Sequence, residues 1–112
     1  MGNIDKATIH YASALELEPY NSVFEKNFAD FQFAVIGNVG EALKHYLNVL
    51  KRDPEDTEVL MAAGHVCRTI NKSEDAELFF RRVLEIEPWS LEASESLQKL
   101  SGNEGNNRAA GF

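Results

Sequence analysis

One pattern recurs three times along the chain at a nearly constant interval, and it leaves few folds open. Its clearest copy is Ala76, Phe80, Val83, Leu84 and Pro88: a small residue, an aromatic four later, an aliphatic pair and a proline. Ala42, Tyr46, Val49, Leu50 and Pro54 repeat it, as do Ala7, Tyr11, Ala14, Leu15 and Pro19. The second and third copies lie 34 residues apart, the first and second 35. Apolar positions at i, i+4, i+7 and i+8 occupy one face of an α-helix. Proline disfavours helix at the residue before it, so each copy reads as a helix with a stop. A unit of this length holds two helices that cannot hide their apolar faces alone and must stack on their successors. The predicted fold is all-α, a solenoid of antiparallel helix pairs.

Between the copies the sequence supplies the other helix of each pair. Residues 3–17, with Asn3 as a cap, read as the second helix of a truncated first repeat, 1–20, whose inner face lacks a neighbour. A complete repeat over 21–55 opens with a strongly apolar helix, 21–36, that sets Phe24, Phe28, Phe31 and Val35 on one stripe and Phe33 off it. Each buried ring is worth roughly 1.5–3 kcal/mol. Gly37, Asn38 and Gly40 break this helix, 41–51 forms its partner, and the extra residue of the longer interval is placed near Ile36. The next complete repeat covers 56–90. Glu55, Asp56 and Glu58 crowd the start of its first helix, where the positive end of the dipole favours them, and Asp56 or Thr57 is the expected cap. Gly64 in mid-helix costs about 1 kcal/mol relative to alanine and predicts close helix packing. Trp89 is expected to pack at a junction between repeats. Residues 91–101 read as a capping helix and 102–112 as a flexible tail or a truncated next repeat.

Composition narrows the function classes. A net charge of −7 argues against a phosphate-backbone partner, which needs a clustered cationic face; the electrostatic preference is for a basic partner. Cys67 is the only cysteine, so neither an intrachain disulfide nor a multi-cysteine metal site can form. No basic start leads into an apolar run and no segment is long enough to span a bilayer, so a soluble, cytoplasmic setting without membrane insertion is expected. His10, His45 and His65 sit at unrelated helix positions without a second ligand at i+4, which predicts solvated or groove histidines and no metal. Cys67 reads as a small core residue, and Glu85 and Glu87 as a solvated face. No nucleophile, base and orienting group fall in plausible proximity, so neither catalysis nor a cofactor is expected.

The pattern resembles the tetratricopeptide repeat, a 34-residue helix-turn-helix unit with a small residue, an aromatic four later and a proline closing the second helix. Phe28-Ala29 and Ala63-Gly64 match the large-small pair of its first helix, while the family's early tryptophan is absent and Gln32 and Cys67 replace an aromatic. The resemblance implies a right-handed superhelix whose concave side is lined by first helices and holds extended or helical peptide segments. The family's groove-facing positions fall on Lys26, Asp30 and Phe33, on Met61, His65 and Arg68, and on Glu95 and Lys99. A subset of the family grips C-terminal carboxylates of chaperones through a lysine and an asparagine four later. Here Asp30 follows Lys26 and would repel such a ligand. A segment offering a basic residue to Asp30 and an acidic one to Arg68, with Phe33 and Met61 as apolar contacts, fits better.

These readings predict a non-catalytic scaffold that binds a protein or peptide segment in a concave groove. Two alternatives stand beside it: a repeat segment of a larger enzyme, such as a glycosyltransferase, and a scaffold that self-associates through its open terminal helices.

Overall fold

The computed structural model describes the backbone of residues 2–111 and the side chains of residues 6, 7 and 9–101. Six helices follow one another: α1 (Gly2–Leu17), α2 (Ser22–Phe31) continued by a π-helical turn (Gln32–Ile36), α3 (Val39–Arg52), α4 (Thr57–Thr69), α5 (Ser73–Ile86) and α6 (Leu91–Gly111). There is no strand among the described residues. Neighbours in sequence are neighbours in space: α3 is held between α2 and α4, and α5 between α4 and α6, whereas α1 packs on α2. This is the stacked-pair solenoid that the period requires.

Side-chain caps set where the first helices begin. Asn21 accepts from the Phe24 amide and Asp56 from the Val59 amide, each satisfying one of the donors a helix start leaves unpaired. Their ends are set by left-handed residues, Gly37 (φ 79°) and Asn71 (φ 63°), which turn the chain into the second helix. From cap to turn is 16 residues in the first case and 15 in the second. The extra residue is absorbed by the π turn. Its closing bond runs six residues, from the Asn38 amide to the Gln32 carbonyl, where the next repeat's runs five, from Lys72 to Cys67. A π turn is a single-residue insertion into an α-helix, so the 35-residue interval and this local geometry are one fact.

The turn also corrects the register expected after Phe31. Val35, placed on the apolar stripe, is 53% exposed. Phe33, placed in the groove, packs against the core of Ala29, Ala42, Tyr46 and Val59. The inserted residue rotates everything beyond it by about 100° around the helix axis.

Two clusters make the core. One lies among α2, α3 and α4; the other, around Phe80, Val83, Cys67 and Ala93, lies among α4, α5 and α6. Leu43, Leu50 and Phe79 pack against both and fuse them. Gly64 is required at their junction: a Cβ there would stand 2.4 Å from Cε1 of Phe80. Cys67 is 1% exposed, and burial, with Asp75 nearby, pushes its thiol up, so it serves as a core residue.

One expectation fails at the edge. Trp89 is 75% exposed instead of packed. It directly follows Pro88, as Tyr20 follows Pro19, and both aromatics lie at turn tips outside the helix-packing faces. The tail beyond Ser101, expected to be flexible or a new repeat, continues α6 in its backbone to Gly111. No proline follows Leu100 to stop the helix, as Pro19, Pro54 and Pro88 stop α1, α3 and α5. Phe112 lies outside the described residues.

Candidate functional site

Because α2, α4 and α6 are the first helices of successive pairs, their exposed faces line the same side of the array. Between them opens a cavity of about 390 Å³. Met61, Ala62 and Val83 form its apolar part, and Lys26, Asp30, Glu58, Glu87 and Glu92 supply its charges. Of the eight expected groove residues, Lys26, Asp30, Met61 and His65 line this cavity; Phe33, Arg68, Glu95 and Lys99 do not. Arg68 stands at the last turn of α4, and Glu95 and Lys99 are exposed on α6, whose first turn alone reaches the cavity.

The expected cation of the groove is already engaged. Lys26 forms an ion pair with Glu58, and that hydrogen bond raises its pKa. Asp30 accepts from the Tyr46 hydroxyl. Burial and that bond to a carboxylate both push the Tyr46 hydroxyl above its ordinary range. Glu87 accepts from Thr57 Oγ1 at 3.0 Å, and Glu92 meets His65 Nε2 at 3.2 Å. His65 lies edge-on to Phe80 with ring centroids 5.3 Å apart, and its Nδ1 is buried without a protein partner among the described residues.

Glu58, Glu87 and Glu92 were not expected in the groove. Glu58 reads in the sequence as a helix-start acid and Glu87 as a solvated one. A signal was present: Glu58 and Glu92 are 34 residues apart, so they hold the same register on α4 and α6 and project to one side. Glu87 also recurs in register, with Asp53 34 residues before it and each acid directly ahead of a proline, but it reaches the cavity through the turn that closes α5 and not from a first helix.

A second polar cluster lies between α2 and α3. Glu25 is 4% exposed and accepts from Arg52 (2.6 Å), His45 Nδ1 (2.8 Å) and Asn48 (3.0 Å). Burial alone would raise its pKa, but the bonds from His45, Arg52 and Asn48 and the Arg52 charge together hold it below the ordinary carboxylate value. His45, expected at the solvated surface, is therefore a partly buried partner, also 3.5 Å from Glu41. Once α3 packs flat on α2, Glu25 is desolvated and needs those donors. Among the described residues, no three His, Cys, Asp or Glu side chains gather as metal ligands, and no helix is long and apolar enough to cross a membrane.

Comparison with known proteins agrees with this architecture. A family model described as tetratricopeptide repeat matches residues 57–88, the α4–α5 pair. Human RNA polymerase II-associated protein 3 is 31% identical over 101 residues, which are 89% of this chain and only 15% of the human protein. The first repeat domain of Spaghetti (RPAP3), solved bound to the HSP90 peptide SRMEEVD, superposes with a TM-score of 0.83 at 27% identity, over 93% of this chain and 82% of that one. A tetratricopeptide repeat protein from Parabacteroides merdae gives 0.83 at 30% identity, over 91% and 41% of the two chains. With its period, its paired helices and these likenesses, the chain has the fold of a tetratricopeptide repeat array, and its α4–α5 pair matches the model of that family.

Proposed function

We propose that this chain is a non-catalytic protein-interaction module that holds a peptide segment of a partner in the groove between α2, α4 and α6. One observation carries the reading: the cavity combines an apolar floor at Met61 and Ala62 with charged side chains, of which Glu58 and Glu92 are largely exposed. That is the composition of a surface that takes apolar contacts from a peptide and fixes its register through polar ones. The peptide bound by the first repeat domain of Spaghetti supports it, since that domain shares the fold over most of this chain. Met61 and His65 are assigned to the floor and wall, Lys26 and Asp30 to the side formed by α2.

The test is selection from an unbiased displayed-peptide library, followed by affinity measurement on two variants. Ala62→Phe fills the cavity, while Leu78→Ser alters an exposed residue of α5. The expected outcome is at least one peptide whose binding falls roughly tenfold or more with Ala62→Phe and is unchanged with Leu78→Ser. Peptides indifferent to Ala62→Phe would place recognition elsewhere on the chain.

A further inference from the structure

We propose that the groove selects a lysine or arginine side chain of its peptide, seated between Glu58, Glu87 and Glu92 above the apolar floor. This rests on the preceding reading and adds the chemical class of the ligand. Four carboxylates, from Asp30, Glu58, Glu87 and Glu92, line the cavity against one ammonium, Lys26, which Glu58 already engages. Arg68, the other cation expected there, lies outside it. The excess is therefore negative, in keeping with the net charge of −7.

The carboxylates also have capacity to spare. Each ionised carboxylate offers about four acceptor positions, and the side chains of Glu58 and Glu92 are 77% and 66% exposed. Ala62, which is partly exposed, and the edge of Met61 beneath them match the methylene stem of a lysine or arginine, which buries its chain along apolar surface while its charged head stays among acceptors. An acidic terminus such as that of SRMEEVD would meet like charge on three helices and the turn between α5 and α6. Carboxylates converging on one concave surface raise the local concentration of cations and disfavour anions.

Lys26 gives the test its sign. In an anion-binding groove Lys26 would be a ligand, and its loss would weaken binding. In a cation-binding groove Lys26→Gln frees Glu58 and strengthens it. The experiment measures fluorescence anisotropy with labelled SRMEEVD and a charge-reversed, amidated SRMKKVK, on wild type, Lys26→Gln and Glu92→Gln. The expected result is tighter binding of the basic peptide by about tenfold or more. Glu92→Gln should weaken it roughly two- to fivefold, the size of one exposed ion pair, and Lys26→Gln should strengthen it. Preference for SRMEEVD, lost with Lys26→Gln, overturns the charge assignment and leaves peptide binding in place. Binding of neither peptide, while library peptides without basic residues bind, also overturns it; failure of every peptide takes the groove reading down as well.

Discussion

Beside α1 a cleft of about 590 Å³ is walled by Ala7, Tyr11, Ala14 and Phe24, whereas the smaller groove between α2, α4 and α6 sets four carboxylates over an apolar floor. The cleft is largely apolar because it exposes repeat-spine residues that the other copies hide. Ala76, Phe80 and Val83 are at most 1% exposed, and Ala42, Tyr46 and Val49 likewise. Ala7, Tyr11 and Ala14 hold the same register and remain half-buried, with the Tyr11 ring tilted against Phe28 and Phe31 at centroid distances of 5.7 and 5.3 Å. The same sequence motif is thus fully buried in two places and half-buried in the third. Burial in a repeat array belongs to the neighbours of a helix as much as to the helix itself, and the two cavities differ for that reason: one is an open packing face, the other a surface built of charges.

The difference can be broken most forcefully at the aromatic position. Phe80→Ala should cost about 3–5 kcal/mol in chemical denaturation, because it removes a fully buried ring and leaves a cavity. Tyr11→Ala, in the same register, should cost about 1–2 kcal/mol in proportion to its partial burial. Equal losses would show that the first copy is as well packed as the third.

A smaller effect is expected at Glu25, which ties α2 to α3. Glu25→Gln should destabilise by about 1.5–3 kcal/mol at neutral pH, the worth of hydrogen bonds to a charged group. Its folded pKa lies below the unfolded value, so the stabilisation is complete above the ordinary carboxylate range and is lost as pH falls through the folded value. The gap between wild type and variant should therefore close on acidification. A gap independent of pH would mean that the ionised carboxylate contributes nothing.

Smaller still is Gly64→Ala. The added methyl meets the Phe80 ring, an overpacking cost of about 1–3 kcal/mol offset by about 1 kcal/mol of helix propensity. The net loss should vanish in a Phe80→Leu background, which a double-mutant cycle would read directly; a loss that persists there would point to a different clash.

Much of the fold was legible because its signals are local or periodic. Three prolines end helices, the spine names the buried positions, and Gly64 announces close packing. Even the inserted residue was visible, as an interval of 35 residues beside one of 34. What it does was not: a π turn redirects side chains by a fraction of a helical turn, which took Phe33 out of the groove and into the core. Glu25 and His45 were opaque for another reason. Each looks like an ordinary surface residue of its own helix and becomes buried only when α3 lies against α2. The acidic lining of the groove was half legible, since Glu58 and Glu92 share a register while Glu87 arrives by way of a turn.

Amide chemical-shift mapping with a library-selected peptide tests most directly which of the two cavities is the binding surface. The perturbed amides should cluster at Glu58, Met61, His65 and Glu92. Perturbations confined to Ala7, Tyr11 and Phe24 would contradict that placement, and would assign recognition to the open packing face.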